Sequence, residues 1–320
     1  MPLPANLRTS PAVTQGAKIC VFAPWPLFTV TIERHTSGAD DVYFNAGGQA
    51  VWVARMILGL GGAPQLVGPF GGEPRTILEA LVAAEGIGLR SVPVKGGNGG
   101  YVDDRRDGER QRIATAPSHS LDRHETDDLY NAILSEALRC GTMVMTGLAS
   151  EQVIPLDFFT RLANDLRSND VKVIADIAGD VLGAVEGGLA LLKVSHEELQ
   201  EAGLVGDDSH EEILKAMETL RAKADNVVVS RAGAGSLARF GDRIFEARGP
   251  EIHAQDHTGA GDSMTAALAM AIASGLDGPD ALRLATAAGA LNVTRAGRGT
   301  GKLEDIAVLA GKVDVWEVTE

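Results

Sequence analysis

The run Asp256-His257-Thr258-Gly259-Ala260-Gly261-Asp262-Ser263-Met264 carries the clearest chemistry in this 320-residue chain. It leads into an Ala-rich stretch, residues 261–274, that reads as a helix. Small residues at 259 to 261 let the backbone come close to a ligand. They set unpaired N–H groups at a helix N-terminus, where an anion is stabilised. A carboxylate in the same place would repel a bound phosphate unless it faced a second reactant. Gly259, Ala260 and Gly261 as an anion hole, with Asp262 as the base on an attacking hydroxyl, form a set suited to phosphoryl transfer. The helix start is expected to keep Asp262 ionised at neutral pH, hence a weak base. Taken alone, the run also fits an ordinary Asp behind a glycine turn.

The surrounding pattern supplies a scaffold. Apolar β-type runs at 18–23, 64–70, 89–94, 142–146, 171–176, 189–194 and 226–230 alternate with helical periodicity at 74–84, 126–138, 155–168, 180–188 and 209–223. A hairpin over 235–247 and helices at 261–274, 279–295 and 303–312 follow. Strands alternating with helices predict an α/β fold, a three-layer α/β/α sandwich with a mostly parallel sheet. Asn45-Ala46-Gly47-Gly48 opens a helix closed by Gly61-Gly62. The polar segments near 28–45 and 91–115, the second with Asp107-Gly108 as its turn, read as a small exposed β-sheet lid. Residues 1–17 and 316–320 read as tails around one domain, 18–315.

Composition narrows the partners. Lys plus Arg number 29 against 43 Asp plus Glu, a formal charge of −14, which disfavours nucleic acid and anionic membranes. Aromatic residues are 4% of the chain, too few for a base-stacking surface. Cys20 and Cys140 lack metal-type spacing and are expected to be reduced, buried thiols. No apolar leader or span-length run is apparent, so a cytoplasmic protein is expected. His196 and His210 each precede Glu-Glu without a second His four residues on, which removes a zinc-peptidase reading. No Gly-x-Gly-x-x-Gly follows the first strand, which removes a nicotinamide-dependent oxidoreductase.

Several segments in order resemble the ribokinase-like, or PfkB, family of carbohydrate kinases, over about residues 18 to 315. They are Phe44-Asn45-Ala46-Gly47-Gly48-Gln49-Ala50, Asp176 at a strand end, Lys193 through Glu198, Ser230-Arg231-Ala232-Gly233-Ala234-Gly235, and the run ending Gly259-Ala260-Gly261-Asp262-Ser263. The stretch Leu284-Ala285-Thr286-Ala287-Ala288 followed by Asn292 looks most like the 1-phosphofructokinase and tagatose-6-phosphate kinase branch. The resemblance implies ATP and Mg²⁺, with Asp262 as base and Glu198 helping to hold the metal through water. It places Ser230, Gly233 and Gly235 in a nucleotide loop, Ala288 and Asn292 near the adenine, and Gly47 and Gly48 against a small carbohydrate-like acceptor. Asp256 and Thr258 match positions that bind K⁺ in some relatives, and a homodimer through the lid is common in the family.

The acceptor side departs from that branch. Leu27 stands where an Asp binds sugar hydroxyls, Gln49 replaces a Lys after the paired glycines, and Gly97-Asn98 replaces a Thr-Arg pair. The lost cations are phosphate clamps. Arg105, Arg106 and Arg110 can stand in for them, although beside four acidic residues they also read as a solvated charged turn. Trp25, Leu27, Trp52 and Tyr101 suggest an apolar rim for a less polar acceptor. Two readings stay open: an active kinase, or a protein that binds nucleotide or sugar as a regulator after losing the chemistry.

Overall fold

The computed structural model describes residues 12–148, 153–252, 257–295 and 297–318. In chain order the first elements are β1 (Lys18–Phe22), β2 (Leu27–Arg34), β3 (Asp40–Gly47), α1 (Gln49–Gly59), β4 (Ala63–Gly71), α2 (Arg75–Ala84) and β5 (Gly88–Val94). Next come β6 (Gly100–Asp104), β7 (Gln111–Ala116), α3 (Arg123–Cys140), β8 (Thr142–Thr146), α4 (Asp157–Ser168), β9 (Lys172–Asp176) and α5 (Gly179–Ala184). After β10 (Leu191–Ser195), α6 (His196–Glu201), α7 (His210–Leu220) and β11 (Asn226–Ser230), a short 3₁₀ turn at Ala232–Ala234 leads into the antiparallel strands β12 (Ser236–Phe240) and β13 (Arg243–Arg248). The chain then runs through α8 (Ala260–Ser274), α9 (Gly278–Asn292), α10 (Leu303–Ala310) and β14 (Asp314–Glu317).

Ten strands form one sheet in the order β14-β13-β12-β11-β10-β9-β8-β1-β4-β5. The seven from β11 to β5 are parallel, as crossovers through helices require. Alternate residues of β1 feed two different cores: Ile19 and Val21 face the layer of α1, α8 and α9, while Cys20 and Phe22 face that of α3 and α4. The predicted three-layer sandwich is therefore present. β14 pairs antiparallel with β13, so the expected C-terminal tail is partly a strand. At the other end, the amides of Thr14 and Gly16 bond Ser274 Oγ and Gly61 O, and Val13 is buried, so residues 12–17 are packed on the body.

The lid is a separate sheet, β3-β2-β6-β7. Its second segment starts at β6, because β5 pairs with β4 in the large sheet. Register sorts its side chains by face. Thr29, Thr31, Glu33, Tyr43, Asn45, Tyr101 and Asp103 share one face, and Phe28, Val30, Ile32, Val42, Phe44 and Val102 the other. The polar face looks onto the body, and the apolar one leaves Val42 and Phe44 about half exposed or more. Of the two cysteines, Cys20 is buried and Cys140 only half-buried, and both are free thiols.

Candidate active site

α8 starts in the middle of the molecule. Its run from Asp262 to Ala271 is buried on every side, which is how an all-round apolar helix behaves in a core. Gly289 of α9 lets the two helices touch, since a Cβ there would meet Met264 Cγ at 2.9 Å. The helix is preceded by Gly259 at φ +86°, and no side chain caps it. A glycine is needed at that left-handed position, and the absence of a capping side chain leaves the first turn open to a ligand. Ala260 N makes a long, 3.4 Å bond to His257 O. His257 itself is exposed.

Beneath this turn lies a buried charge cluster. Lys193 of β10 and Asp176 of β9 are neighbours across parallel strands, and Lys193 Nζ donates to Asp176 Oδ1 at 3.3 Å. Thr265, one turn into α8, donates from Oγ1 to Asp176 Oδ2 at 2.7 Å. The ammonium also abuts the glycine turn, where a Cβ on Gly261 would lie 2.7 Å from Nζ. Burial alone would depress the Lys193 pKa, but Asp176, Glu198 and Asp262 around it outweigh burial and raise it.

Asp262 is 9% exposed. Burial first, and then the nearby Asp176, push its carboxyl up to about 7, against the opposing pull of Lys193 and a hydrogen bond from Gln49. The expectation of a fully ionised, weak base is thus corrected: desolvation outweighs the helix start, and the carboxylate is poised near neutrality. Gln49, the first residue of α1, also donates to Asp176 O at 3.4 Å and accepts from Gly147 N at 3.2 Å. It bridges Asp262 to the strand ends instead of replacing a phosphate clamp.

Gly47 and Gly48 sit where β3 turns into α1 against β2. A Cβ on Gly47 would fall 2.5 Å from Thr29 Cγ2, and one on Gly48, at φ +98°, 2.6 Å from Trp25 O. Leu27 pairs with Gly47 at the base of the lid. Asn98 is spent on backbone: Gly71 N donates to its Oδ1, and its Nδ2 donates to Pro26 O and Pro69 O.

In the loop expected to bear the nucleotide, Ser230 ends β11, half-buried. Gly235, at φ +90°, is forced by Ala247 O, which a Cβ would approach to 2.2 Å, whereas Gly233 has open space. Just before Gly233, Ala232 holds φ +45° without being glycine. Arg231 braces this loop from beneath, donating from Nη2 to Glu246 Oε1 at 2.6 Å and to Ala234 O at 3.2 Å. Ala288 is fully buried in α9 and offers no surface. Asn292 is buried too, donating to Thr258 O and accepting from Gly299 N, both at 2.9 Å. It joins the turn before α8 to the 297–301 loop, a structural task that leaves its amide committed. Glu198 caps α6 reciprocally with Ser195, whose amide donates to Glu198 Oε2 at 2.7 Å. Thr258 is exposed, and Asp256 lies outside the described residues.

Between lid and body runs a cleft of about 170 Å³. Arg105 and Arg110 line it while Arg106 does not; Arg106 bonds Asp104 and Asp40 at the lid surface. The charged hairpin therefore divides into two cleft residues and one surface residue. Arg110 Nη1 donates to Thr258 Oγ1 at 3.4 Å, so the lid reaches the turn before α8. Trp52 and Tyr101 line the cleft, but Trp25 and Leu27 do not. Each aromatic is covered by a guanidinium: Arg298 lies 4.6 Å from the Trp52 ring and Arg112 3.5 Å from the Tyr101 ring. The expected apolar rim is a cationic one. Asp176, Lys193 and Arg231 stood in the sequence only as parts of matching segments with no role attached, and Arg298 was missed; Lys193, a lysine inside an apolar strand, carried a signal of its own.

A model of the pfkB family carbohydrate kinases matches residues 27–305. The ATP-dependent 6-phosphofructokinase isozyme 2 of Mycobacterium tuberculosis is 28% identical over 307 residues, spanning 94% of this chain and 87% of that protein. The 1-phosphofructokinase of Haloferax volcanii is 26% identical over 302 residues, spanning 92% of this chain and 93% of that one. Phosphofructokinase-2 from Escherichia coli, solved in complex with potassium, shares the fold with a TM-score of 0.81 at 23% identity, over 92% of this chain and 98% of that chain. With the buried Asp262 and its glycine turn, these matches settle the family: the chain belongs to the pfkB family of carbohydrate kinases.

Proposed function

We propose that this carbohydrate kinase moves the γ-phosphoryl group of ATP to a hydroxyl of a small sugar or sugar phosphate, with Asp262 as the base. The observation that carries the assignment is a buried carboxyl held near pKa 7 at an uncapped helix start, above the Lys193–Asp176 pair. At neutral pH such a group exists substantially as carboxylate, yet accepts a proton readily. The acceptor hydroxyl donates to Asp262, the first-turn amides of α8 stabilise charge on the group in transfer, and Lys193 keeps the cluster from excess negative charge. Ser230 through Gly235 bears the nucleotide, and Gly47, Gly48 and Leu27 border the acceptor.

Glu198 is the residue that would hold Mg²⁺. One of its oxygens is engaged in capping α6, and among the described residues no group of three His, Cys, Asp or Glu gathers into a metal cage. That suits an ion held mainly by nucleotide phosphates and water, with one protein carboxylate nearby. When bound, Mg²⁺ supplies neutralising charge to the phosphates. Potassium near Thr258 and Asp256 is a further element of the proposal, read out as a K⁺-dependent rate. The regulator reading loses its motive, because Gln49 contacts Asp262 and Arg105, Arg110 and Arg298 line the cleft under the lid.

Among the described residues no helix is long and apolar enough to cross a membrane. A cytoplasmic enzyme that dimerises through the outer lid face, with Phe44 stacked on Phe28, completes the reading. Phe44→Asp should shift the mass seen in sedimentation from dimer to monomer. The function is tested by ADP release on a panel of sugars, sugar phosphates, nucleosides and sugar acids. An Asp262→Asn enzyme with near-native turnover would remove Asp262 from its role.

A further inference from the structure

The cleft under the lid carries positive charge in a chain of net charge −14. Among the described residues, Arg55, Arg105, Arg110 and Arg298 line it, against Glu33 and Asp103. Arg55 is committed to Glu85 and to Ala46 O, while Arg105 lies 3.7 Å from Glu33 and Arg110 3.6 Å from Asp103. Arg298 differs from all three. Its partners are the Tyr101 hydroxyl, at 3.0 Å from Nη1, and the Trp52 ring, and among the described residues no carboxylate pairs with it. Burial and the adjacent Asp103 raise the Tyr101 pKa, so the phenol is neutral and cannot cancel the charge. A half-buried guanidinium without a counter-charge is costly unless a ligand supplies one.

Its orientation is fixed. The indole beneath and the phenol at one edge hold the planar group, and Arg112 over Tyr101 continues the ladder into the lid. Its distance from the chemistry is fixed as well. Arg298 Cβ lies 3.4 Å from the position a Cβ would take on Gly259, and Asn292 ties Gly299 N to Thr258 O. An anion on Arg298 is therefore held in register with the loop that leads into Asp262. A planar fork of donors suits phosphate oxygens. Meanwhile the two positions where a clamp was expected, Gln49 and Asn98, are occupied with internal hydrogen bonds.

We infer that Arg298, supported by Arg105 and Arg110, binds the anionic group carried by the acceptor, so that the preferred acceptor is a phosphorylated sugar read from the 297–301 loop. This rests on the kinase reading above. The experiment compares wild type with Arg298→Gln and Arg298→Lys, using a hexose monophosphate, the same hexose without phosphate, and inorganic phosphate. Wild type should prefer the hexose monophosphate. Arg298→Gln should raise the acceptor KM about 10- to 100-fold, with the ATP KM moved less than about twofold, and Arg298→Lys should recover part of the loss. Calorimetry without ATP should show hexose monophosphate binding to wild type and weakened binding to Arg298→Gln. Trp52, stacked under the guanidinium, should report the same event by its fluorescence, a signal absent in Trp52→Phe.

Equal kcat/KM for phosphorylated and unphosphorylated acceptors in wild type would overturn the proposal. So would equal hexose monophosphate binding by wild type and Arg298→Gln, or a loss in Arg298→Gln that falls equally on ATP. Failure of the kinase reading is a separate result: no ADP release with any acceptor. In that event the calorimetric comparison still decides whether Arg298 is an anion site.

Discussion

The floor of the site and its lid handle charge in opposite ways. On the floor, Asp176, Lys193 and Asp262 are buried, and their partners come from strand ends and a helix start that cannot move without disturbing the core. In the lid, most charges lie near solvent, as Arg106 with Asp104 and Arg105 with Glu33, and Asp103, paired with Arg112 on the facing strand, is the buried exception. Burial makes each floor charge change its neighbours' protonation, whereas solvent keeps most lid pairs weak. Floor residues should therefore govern kcat and stability, and lid residues the acceptor KM.

The largest test is Asp262→Asn. The turnover number should fall by ~10²–10⁴-fold with nucleotide affinity retained, measured by ADP release and by calorimetry with ATP. The same variant probes stability. The wild-type carboxyl sits at about 7 in the folded chain against its ordinary 3.8. Between those values the folded state holds a proton that the unfolded state has lost. The group's contribution to stability is fully present below the lower value, declines as pH rises through the window and is lost above about 7. Asparagine has no such slope. Tm measured at about pH 5 and about pH 8 should show the variant gaining on wild type at the higher pH.

Next is Lys193→Met. It leaves two buried carboxyls facing each other without the cation that separates them, and removing one partner of a buried pair costs about 3–5 kcal/mol. Denaturant melts measure that loss. The Asp262 pKa should rise further, because Lys193 is the charge that lowers it. In wild type, kcat/KM should climb about tenfold per pH unit below a midpoint near 7 and level off above it, since the base must be unprotonated to act. In Lys193→Met that limb should move to higher pH. A limb that stays in place would separate the ammonium from the base.

The floor was largely legible in the sequence and the lid was not, for a physical reason. Gly259, Gly261 and Asp262 act through local backbone, so adjacent residues report the site. The parallel strands announce themselves as apolar runs because both their faces are buried. β14 escaped notice because Asp314–Glu317 has one half-buried residue and three exposed ones, pairing at the sheet edge. Asp262's pKa was misjudged because its causes, burial in the core first and then Asp176 from β9, arise only in the folded chain. Arg298 could not be found at all. Its meaning comes from Trp52 and Tyr101, which are remote in sequence and brought together only when the lid folds over the body.

The smallest expected effect isolates that junction. Tyr101→Phe removes the hydroxyl that accepts from Arg298 but keeps the ring under Arg112. One such bond is worth about 0.5–1.5 kcal/mol, and slightly more where a charged donor is involved. The acceptor KM should rise by roughly 3- to 10-fold with kcat nearly constant, because the lost contact orients a binding group and touches no reacting atom. A fall in kcat equal to that of kcat/KM would mean that the lid takes part in the transition state. In that case the division between a floor that performs the chemistry and a lid that selects the acceptor would fail at Tyr101, where the lid meets the catalytic side through Arg298.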